Sequence, residues 1–190
     1  SHHGRPVPSP MATTLVPQLL TVTLPEVQLG GQVLRDVRLC GYWHGQPLGT
    51  APVVLPVGGI TASPFPFGDG EHPGWWPALD TADLVDPTQH TILCPCWPGN
   101  GTSWAALQGD VTTVVANLPL LSALDLADLV ALWLDGIGCQ RPVWYIGASM
   151  GALVGIALAV RHPKRVERLV SVSAGLRPDG WGTATRHLQR

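Results

Sequence analysis

The stretch VWYIGASMGAL, residues 143–153, decides the fold that this sequence predicts. A short apolar run precedes the pattern Gly-x-Ser-x-Gly at residues 147–151, and a run rich in alanine and glycine follows it. A serine in this pattern, between a strand and a helix, is typical of a nucleophile elbow, a tight and strained turn that raises the hydroxyl above a sheet. The alternative interpretation is a serine that caps an ordinary helix. The pattern predicts Ser149 as a nucleophile between a strand at Pro142–Ile146 and a helix at Met150–Val160.

The helix that follows Ser149 also predicts how the site stabilises charge. Its N-terminus carries positive potential, so we expect the Met150 amide to be one donor to a developing oxyanion. In this kind of site the second donor comes from the loop after an early strand. The turn Gly58–Thr61 follows the apolar run Ala51–Val57, which predicts Ile60 as that donor. The alternative is that the two glycines only form a tight turn.

Apolar runs of strand length alternate with helical patterns on both sides of this stretch. The alternation predicts an α/β fold with a mostly parallel sheet and helices on both faces. A helix is expected at Leu121–Leu134, where Ser122 as N-cap and Asp125 three residues later resemble a capping box. Residues 63–77, which contain Gly, Pro and two adjacent Trp, are predicted to be a long loop. The other strands are expected at Leu15–Glu26, Val33–Gly41, Ala51–Val57, Thr91–Cys96 and Arg168–Ser173.

Composition and charge exclude several classes of protein. With 45% hydrophobic residues and a formal net charge of −2, the 190-residue chain is not disordered and has no basic footprint for nucleic acid or an anionic membrane. No stretch reaches the roughly 20 apolar residues that a membrane-spanning helix needs. Only 13% of the residues are charged, which is low for a soluble domain. We therefore expect some apolar surface to be covered by more chain or by a partner.

The cysteines and the chain ends set the expected compartment and boundaries. Residues 1–10, SHHGRPVPSP, lack the apolar region of a signal peptide and are expected to be an upstream remnant, with the cytoplasm as the compartment. The α/β core is expected over residues 11–175 and the start of a lid over residues 176–190. The wide spacing of the cysteines predicts buried free thiols and no metal site. They are Cys40, Cys94, Cys96 and Cys139.

Further sequence blocks, in a fixed order, make residues 24–190 similar to one known family. Together with the elbow they resemble the homoserine O-acyltransferase (MetX-type) branch of the α/β-hydrolases. A Gly-Trp-Trp block followed by a Ser-Met-Gly elbow is much more specific than the elbow alone. The blocks are Gly31–Val37, Gly58–Thr61, Gly74–Trp76, Leu79–Thr81, Asp86–Leu93, Ile146–Gly151, Ala159–Val166 and Ser173–Arg190.

The resemblance implies an α/β-hydrolase fold and an acyltransferase of methionine biosynthesis. Members of the family transfer an acyl group from acetyl-CoA or succinyl-CoA to the side-chain hydroxyl of homoserine, or of serine in some cases. Acyl-CoA would then be a co-substrate, with no bound cofactor. The resemblance places Gly58, Gly59 and Thr61 in substrate binding, and Trp75 and Trp76 along the acyl or CoA channel. The alternative for the two tryptophans is plain packing under a long loop.

The sequence departs from the family pattern in two places. Residues 98–103 only approximate the family's loop after the strand at Thr91–Cys96. The fold supplies its catalytic acid and then its histidine well after the serine, so we expect a chain that lacks the C-terminal part and the lid of the fold. Histidines that are candidate substitutes for the missing base, each of which also fits a plain surface or loop position, are His72, His162 and His187.

Three functions therefore remain open. The first is an acyltransferase that works in a ping-pong sequence through an acyl-serine. The second is a serine hydrolase or esterase of the same fold, in which water takes the acyl group. The third is a catalytically incomplete fragment that only binds or dimerises. The expected partners are acyl-CoA and a small hydroxy amino acid, with a homodimer or a second chain that completes the fold.

Overall fold

A computed structural model describes residues 14–59, 62–81, 84–98 and 121–174, which contain one six-stranded sheet. The upstream remnant at residues 1–10 and the start of the lid at residues 176–190 lie outside the described residues. The strands are β1 (Thr14–Leu29), β2 (Gln32–Gly45), β3 (Val53–Val57), β4 (Thr91–Pro95), β5 (Val143–Ala148) and β6 (Val166–Val172). The helices are α1 (Pro77–Thr81), α2 (Ala123–Gly136) and α3 (Met150–Arg161).

The strand order is β1-β2-β4-β3-β5-β6. Strand β2 pairs antiparallel with β1 and with β4, whereas β3 pairs parallel with β4 and β5, and β5 pairs parallel with β6. The α/β class and the mostly parallel sheet are therefore confirmed. The β1–β2 hairpin is longer than predicted, since its register runs on to Gly45 and its two backbones satisfy each other's hydrogen bonds along that length.

One face of the sheet packs against α2 and α3. Alternate strand residues point to this face, and Leu55, Leu93 and Val143 are fully buried in a core with Leu134 of α2 and Leu158 of α3. The strands need both helices to bury this face, because an apolar sheet face exposed to water is costly.

Helix α2 begins as its sequence predicts. The Asp125 amide donates to Ser122 Oγ at 3.1 Å, and the Ser122 amide donates to the Asp125 carboxylate at 2.8 Å. This reciprocal pair is the capping box, and it satisfies donors that the first turn of a helix leaves unpaired. The hydrogen bonds hold the pKa of the Asp125 carboxyl below its ordinary value.

The opposite face of the sheet carries a smaller core. In the described part of the chain this face is covered by α1, which has five residues, and by the loop before it. The loop lacks helical periodicity, but its aromatic side chains supply apolar area that a helix would otherwise provide. The core residues are Val54, Leu79, Val85 and Ile92, with Phe67, Trp76, Trp144 and Ile146 packed against them.

Strand β6 forms one edge of the sheet and is poorly covered. Val170 is 51% exposed and Val172 is 43% exposed, whereas every residue of β3 is buried. An exposed apolar edge strand offers unpaired backbone groups to another strand. Part of the exposed apolar surface of the described residues therefore lies on this edge strand, and more of it lies on β1 and β2, at Leu15, Val16, Leu19 and Val33.

Candidate functional site

Ser149 lies on the turn between β5 and α3, at the position that the elbow pattern predicts. Its backbone has φ 55° and ψ −120°, in a region that residues other than glycine rarely adopt. Two hydrogen bonds hold the strained turn: the Ser149 amide donates to the Val172 carbonyl at 3.0 Å, and the Ser149 carbonyl accepts from the Ala152 amide at 3.1 Å. Such strain, kept by surrounding structure, is typical of functional sites.

The two glycines of the elbow are required by close backbone contacts. A Cβ on Gly147 would lie 2.6 Å from the Gly151 carbonyl oxygen. A Cβ on Gly151 would lie 2.5 Å from the Val57 oxygen and 2.6 Å from the Gly58 oxygen. Because these neighbours are backbone atoms, they cannot move aside as a flexible side chain would. The glycines therefore let β3, β5 and α3 meet at the serine.

Met150 is the first residue of α3, so its amide has no carbonyl partner within the helix. The positive end of the helix dipole adds to the potential at this point. The arrangement suits an anion that develops beside Ser149, as in the tetrahedral intermediate of acyl transfer. The assignment of Met150 as an oxyanion donor stays a prediction.

The loop after β3 approaches the serine from the other side. A Cβ on Gly59 would lie 3.6 Å from Ser149 Cβ and 3.7 Å from Ser149 Oγ, so the Gly59 backbone faces the hydroxyl. The Ala62 amide donates to the Gly59 carbonyl at 3.1 Å. Ile60 and Thr61, the predicted second donor and a predicted binding residue, lie outside the described residues.

The two tryptophans occupy different positions relative to the site. Trp75 lies against Gly58, where an added Cβ would approach its indole ring to 2.6 Å. Its Nε1 donates to the Ser63 carbonyl at 2.9 Å, and its ring stacks on Trp76 with 5.2 Å between centroids. Trp76 in turn packs against the smaller core. The structure thus brings Gly58, Gly59, Trp75 and Ser149 together and places Trp76 behind them.

The candidate base His162 lies at the wrong end of α3 to act on Ser149. The two residues are 13 positions apart along a helical segment, which corresponds to about 20 Å. Its Nε2 contacts the Asp128 carboxylate at 2.7 Å, and Arg161 contacts the same carboxylate at 3.1 Å. From the sequence, His162 also fits a plain surface position. In the structure, its contact with Asp128 joins α3 to α2. Its partner, Asp128, lies within α2.

Of the other two candidate bases, the structure describes only His72. His72 is exposed and contacts Asp69 at 3.0 Å. Hydrogen bonds from the His72 and Glu71 backbones lower the pKa of Asp69 to about 2. His187 lies outside the described residues. Within the described ranges, no histidine or carboxylate is hydrogen-bonded to the Ser149 hydroxyl.

Sequence reasoning missed one buried contact beneath the elbow. The Tyr145 hydroxyl donates to the Gly151 carbonyl at 2.8 Å, and burial raises the pKa of Tyr145 well above its ordinary value. The Tyr145 ring also fills the space beside Gly155, where a Cβ would approach it to 2.5 Å. The sequence signal for this contact is the glycine at position 155, which leaves room for the Tyr145 ring, but a glycine alone does not indicate which side chain packs against it.

Thiol and metal chemistry have no support in the described residues. Cys94 Sγ donates to the Pro56 carbonyl at 3.2 Å, and burial raises the pKa of this thiol, which disfavours the nucleophilic thiolate. All four cysteines are free and buried, as predicted. In the part of the chain that the structure covers, no group of three or more His, Cys, Asp or Glu side chains is arranged to hold a metal ion.

Among the described residues, no helix has the length and apolar character to cross a membrane.

Comparisons with known proteins agree with this geometry. A family model for the alpha/beta hydrolase fold matches residues 52–190. A homoserine O-succinyltransferase from Xanthomonas campestris pv. campestris is 35% identical over 143 residues, which is 74% of this chain and 35% of that protein.

Two solved structures show the same fold. A homoserine O-acetyltransferase from Staphylococcus aureus superposes with a TM-score of 0.73 at 19% identity, over 90% of this chain and 51% of that one. Esterase E22 superposes with a TM-score of 0.71 at 21% identity, over 91% of this chain and 52% of that one. The chain thus spans about a third of the curated relative's length and about half of each solved structure.

Proposed function

Since the chain belongs to the α/β-hydrolase fold family, we propose that it is the nucleophile-bearing part of an acyl-CoA:homoserine O-acyltransferase. One observation carries the proposal: Ser149 sits in a strained elbow at the N-terminus of α3 with the Gly59 backbone against its hydroxyl. The Xanthomonas relative, named as a homoserine O-succinyltransferase, supports homoserine as the acceptor.

The proposed chemistry proceeds in two half-reactions. Ser149 Oγ attacks the thioester carbonyl, a base takes the serine proton, and the amides of Met150 and Ile60 donate to the oxyanion. The intermediate collapses to an acyl-serine, and the departing CoA sulfur receives the proton. The homoserine hydroxyl then attacks the acyl-serine, and the same proton transfers restore Ser149. Acyl-CoA is a co-substrate in this scheme, and no cofactor is bound.

The proposal assigns the substrate to the space beside the loop after β3. Gly58, Gly59 and Thr61 would contact the acyl group or acceptor, and Trp75 and Trp76 would line the channel. The proposed donor is acetyl-CoA or succinyl-CoA, since the similar proteins carry both names. The proposed role is in methionine biosynthesis in the cytoplasm, where the four free, buried thiols would remain reduced.

The acid and histidine of the triad are proposed to come from a segment that completes the fold, in a homodimer or on a second chain. The exposed edge strand β6 supports this, because Val170 and Val172 are unusually accessible for a strand of an α/β sheet. A further strand added to β6 would extend the sheet, and a segment packed on its face would cover both valines.

An esterase is the second candidate, and the structural similarity to esterase E22 favours it. Both chemistries use the same acyl-serine and differ only in whether water or the homoserine hydroxyl takes the acyl group. The third candidate is a catalytically inactive module that only binds or dimerises. In that case no acyl group becomes attached to Ser149.

Product analysis separates these functions. The 190-residue chain is incubated with acetyl-CoA or succinyl-CoA, with and without homoserine, and with imidazole as a diffusible base. A transferase yields O-acylhomoserine, whereas an esterase yields the free acid at the same rate with or without homoserine. Without imidazole we expect turnover near background, since an unassisted serine is a poor nucleophile. Robust free-acid formation that ignores homoserine would contradict the transferase proposal.

A further inference from the structure

Gly58 is held between two rigid surfaces next to the proposed nucleophile. On one side, its carbonyl oxygen would lie 2.6 Å from a Cβ on Gly151, at the start of α3. On the other side, a Cβ on Gly58 would lie 2.4 Å from the Cβ of Ala62, which belongs to the same loop, and 2.6 Å and 2.7 Å from Cη2 and Cζ2 of Trp75. The indole therefore sets how far the loop after β3 can move away from the first turn of α3.

The neighbouring Gly59 transmits this constraint to the site. Its backbone faces Ser149 Oγ, with 3.7 Å from the hydroxyl to a Cβ placed there. Two consecutive glycines leave this loop with more backbone freedom than any other pair of residues would. A preorganised oxyanion loop needs a fixed backbone, because the value of its donors depends on their position when charge develops.

Trp75 is itself held by two contacts, and the second of them, Trp76, is anchored in turn. Its Nε1 donates to the Ser63 carbonyl at 2.9 Å, and its ring stacks on Trp76 at an interplanar angle of 24°. The Trp76 amide donates to the Pro66 carbonyl at 2.8 Å, and its side chain packs against the core formed by Val54 and Ile92. The sheet thus supports Trp76, Trp76 supports Trp75, and Trp75 bears on Gly58.

We infer that Trp75 is a positioning residue that holds the Gly58–Gly59 backbone against the nucleophile elbow. It acts through Gly58 and needs no contact with the reacting atoms. The inference rests on the proposed function, in which this backbone belongs to the oxyanion loop. It deepens that function by naming the side chain that fixes the loop.

The test uses Ser149→Cys as a reporter in the full 190-residue chain, so that it does not depend on turnover. The pH dependence of alkylation at position 149 by iodoacetamide is followed by mass spectrometry, which separates this site from the four buried cysteines. The helix N-terminus and the loop amides should hold the apparent pKa of this thiol below the value of about 8.5 for a free cysteine. Trp75→Ala in this background should raise it towards that value.

Two further variants serve as a rescue and as a matched control. Trp75→Phe keeps a ring against Gly58 and should restore most of the reporter's shift. Trp144→Ala is the matched control, because Trp144 is also half-buried with one hydrogen bond, from its Nε1 to Glu167 at 3.1 Å, but lies at the far end of β5. It should leave the reporter unchanged. Equal responses to Trp75→Ala and Trp144→Ala, or no response to either, would overturn the inference.

In a form of the protein that transfers acyl groups, Trp75→Ala should lower kcat by about 10- to 100-fold and leave KM within about twofold. An unchanged kcat with an unchanged reporter would overturn the inference while the proposed function stands. If no form transfers acyl groups but the reporter responds to Trp75→Ala alone, the positioning role stands and the proposed function fails.

Discussion

Replacing Ser149 by glycine should stabilise the chain relative to replacing it by alanine. At φ 55° and ψ −120°, a side chain with a Cβ is strained, whereas glycine adopts this conformation freely. Relief of a strained backbone residue is worth about 1–3 kcal/mol, and the extra freedom of glycine in the unfolded chain offsets about 0.4–1 kcal/mol of it. We therefore expect the free energy of unfolding of Ser149→Gly to be about 0.5–2 kcal/mol higher than that of Ser149→Ala.

Urea unfolding of the two variants measures this difference, with Ser171 as the matched position. Ser171 lies within β6 and has no positive φ, so Ser171→Gly should be less stable than Ser171→Ala. The sign of the glycine-minus-alanine difference should be opposite at the two positions. The same sign at both, with glycine the less stable, would refute the claim that the elbow is strained.

Further outcomes follow from the packing and the titration of single residues. Gly151→Ala should cost about 1–3 kcal/mol of unfolding free energy, because its Cβ meets backbone oxygens, whereas Gly59→Ala meets Ser149 only at ordinary contact distance and should cost little. Equal losses would contradict this reading of the contacts. Burial lowers the pKa of His44 from 6.5 to about 4, so the unfolded state binds more protons between these values and stability should fall by about 3 kcal/mol as the pH drops through that window. His44→Gln should flatten this dependence in unfolding measured at pH 7 and near pH 4, and an unaltered slope would exclude His44 as its cause.

Local patterns predicted the features that are themselves local. The elbow could be placed because the close contact that requires Gly147, with the Gly151 carbonyl, lies within five residues of the chain, whereas the contacts that require Gly151 come from the distant end of β3. The capping box at Ser122 and Asp125 is likewise a contact between neighbours in sequence. Short, nearly continuous apolar runs marked β3 and β4 because a strand buried on both faces leaves no polar position.

The features that the sequence did not predict depend on contacts between distant segments. His44 lies in β2, buried edge-on against Phe67 with 5.8 Å between ring centroids, and no local pattern around it predicts this burial. The contact between Asp128 and His162 forms only because α2 and α3 pack side by side. No periodicity or spacing along the chain reports which residues two packed helices bring together.

The most direct test of the central claim is whether an acyl group becomes attached to Ser149. The chain is mixed with acetyl-CoA or succinyl-CoA in the presence of imidazole, quenched in acid, digested and analysed by mass spectrometry. We expect the peptide containing Ser149 to gain the mass of one acyl group, homoserine to remove that group, and Ser149→Ala to abolish the labelling. An acyl group found on another residue, or an adduct that persists in Ser149→Ala, would contradict the assignment of Ser149 as the nucleophile.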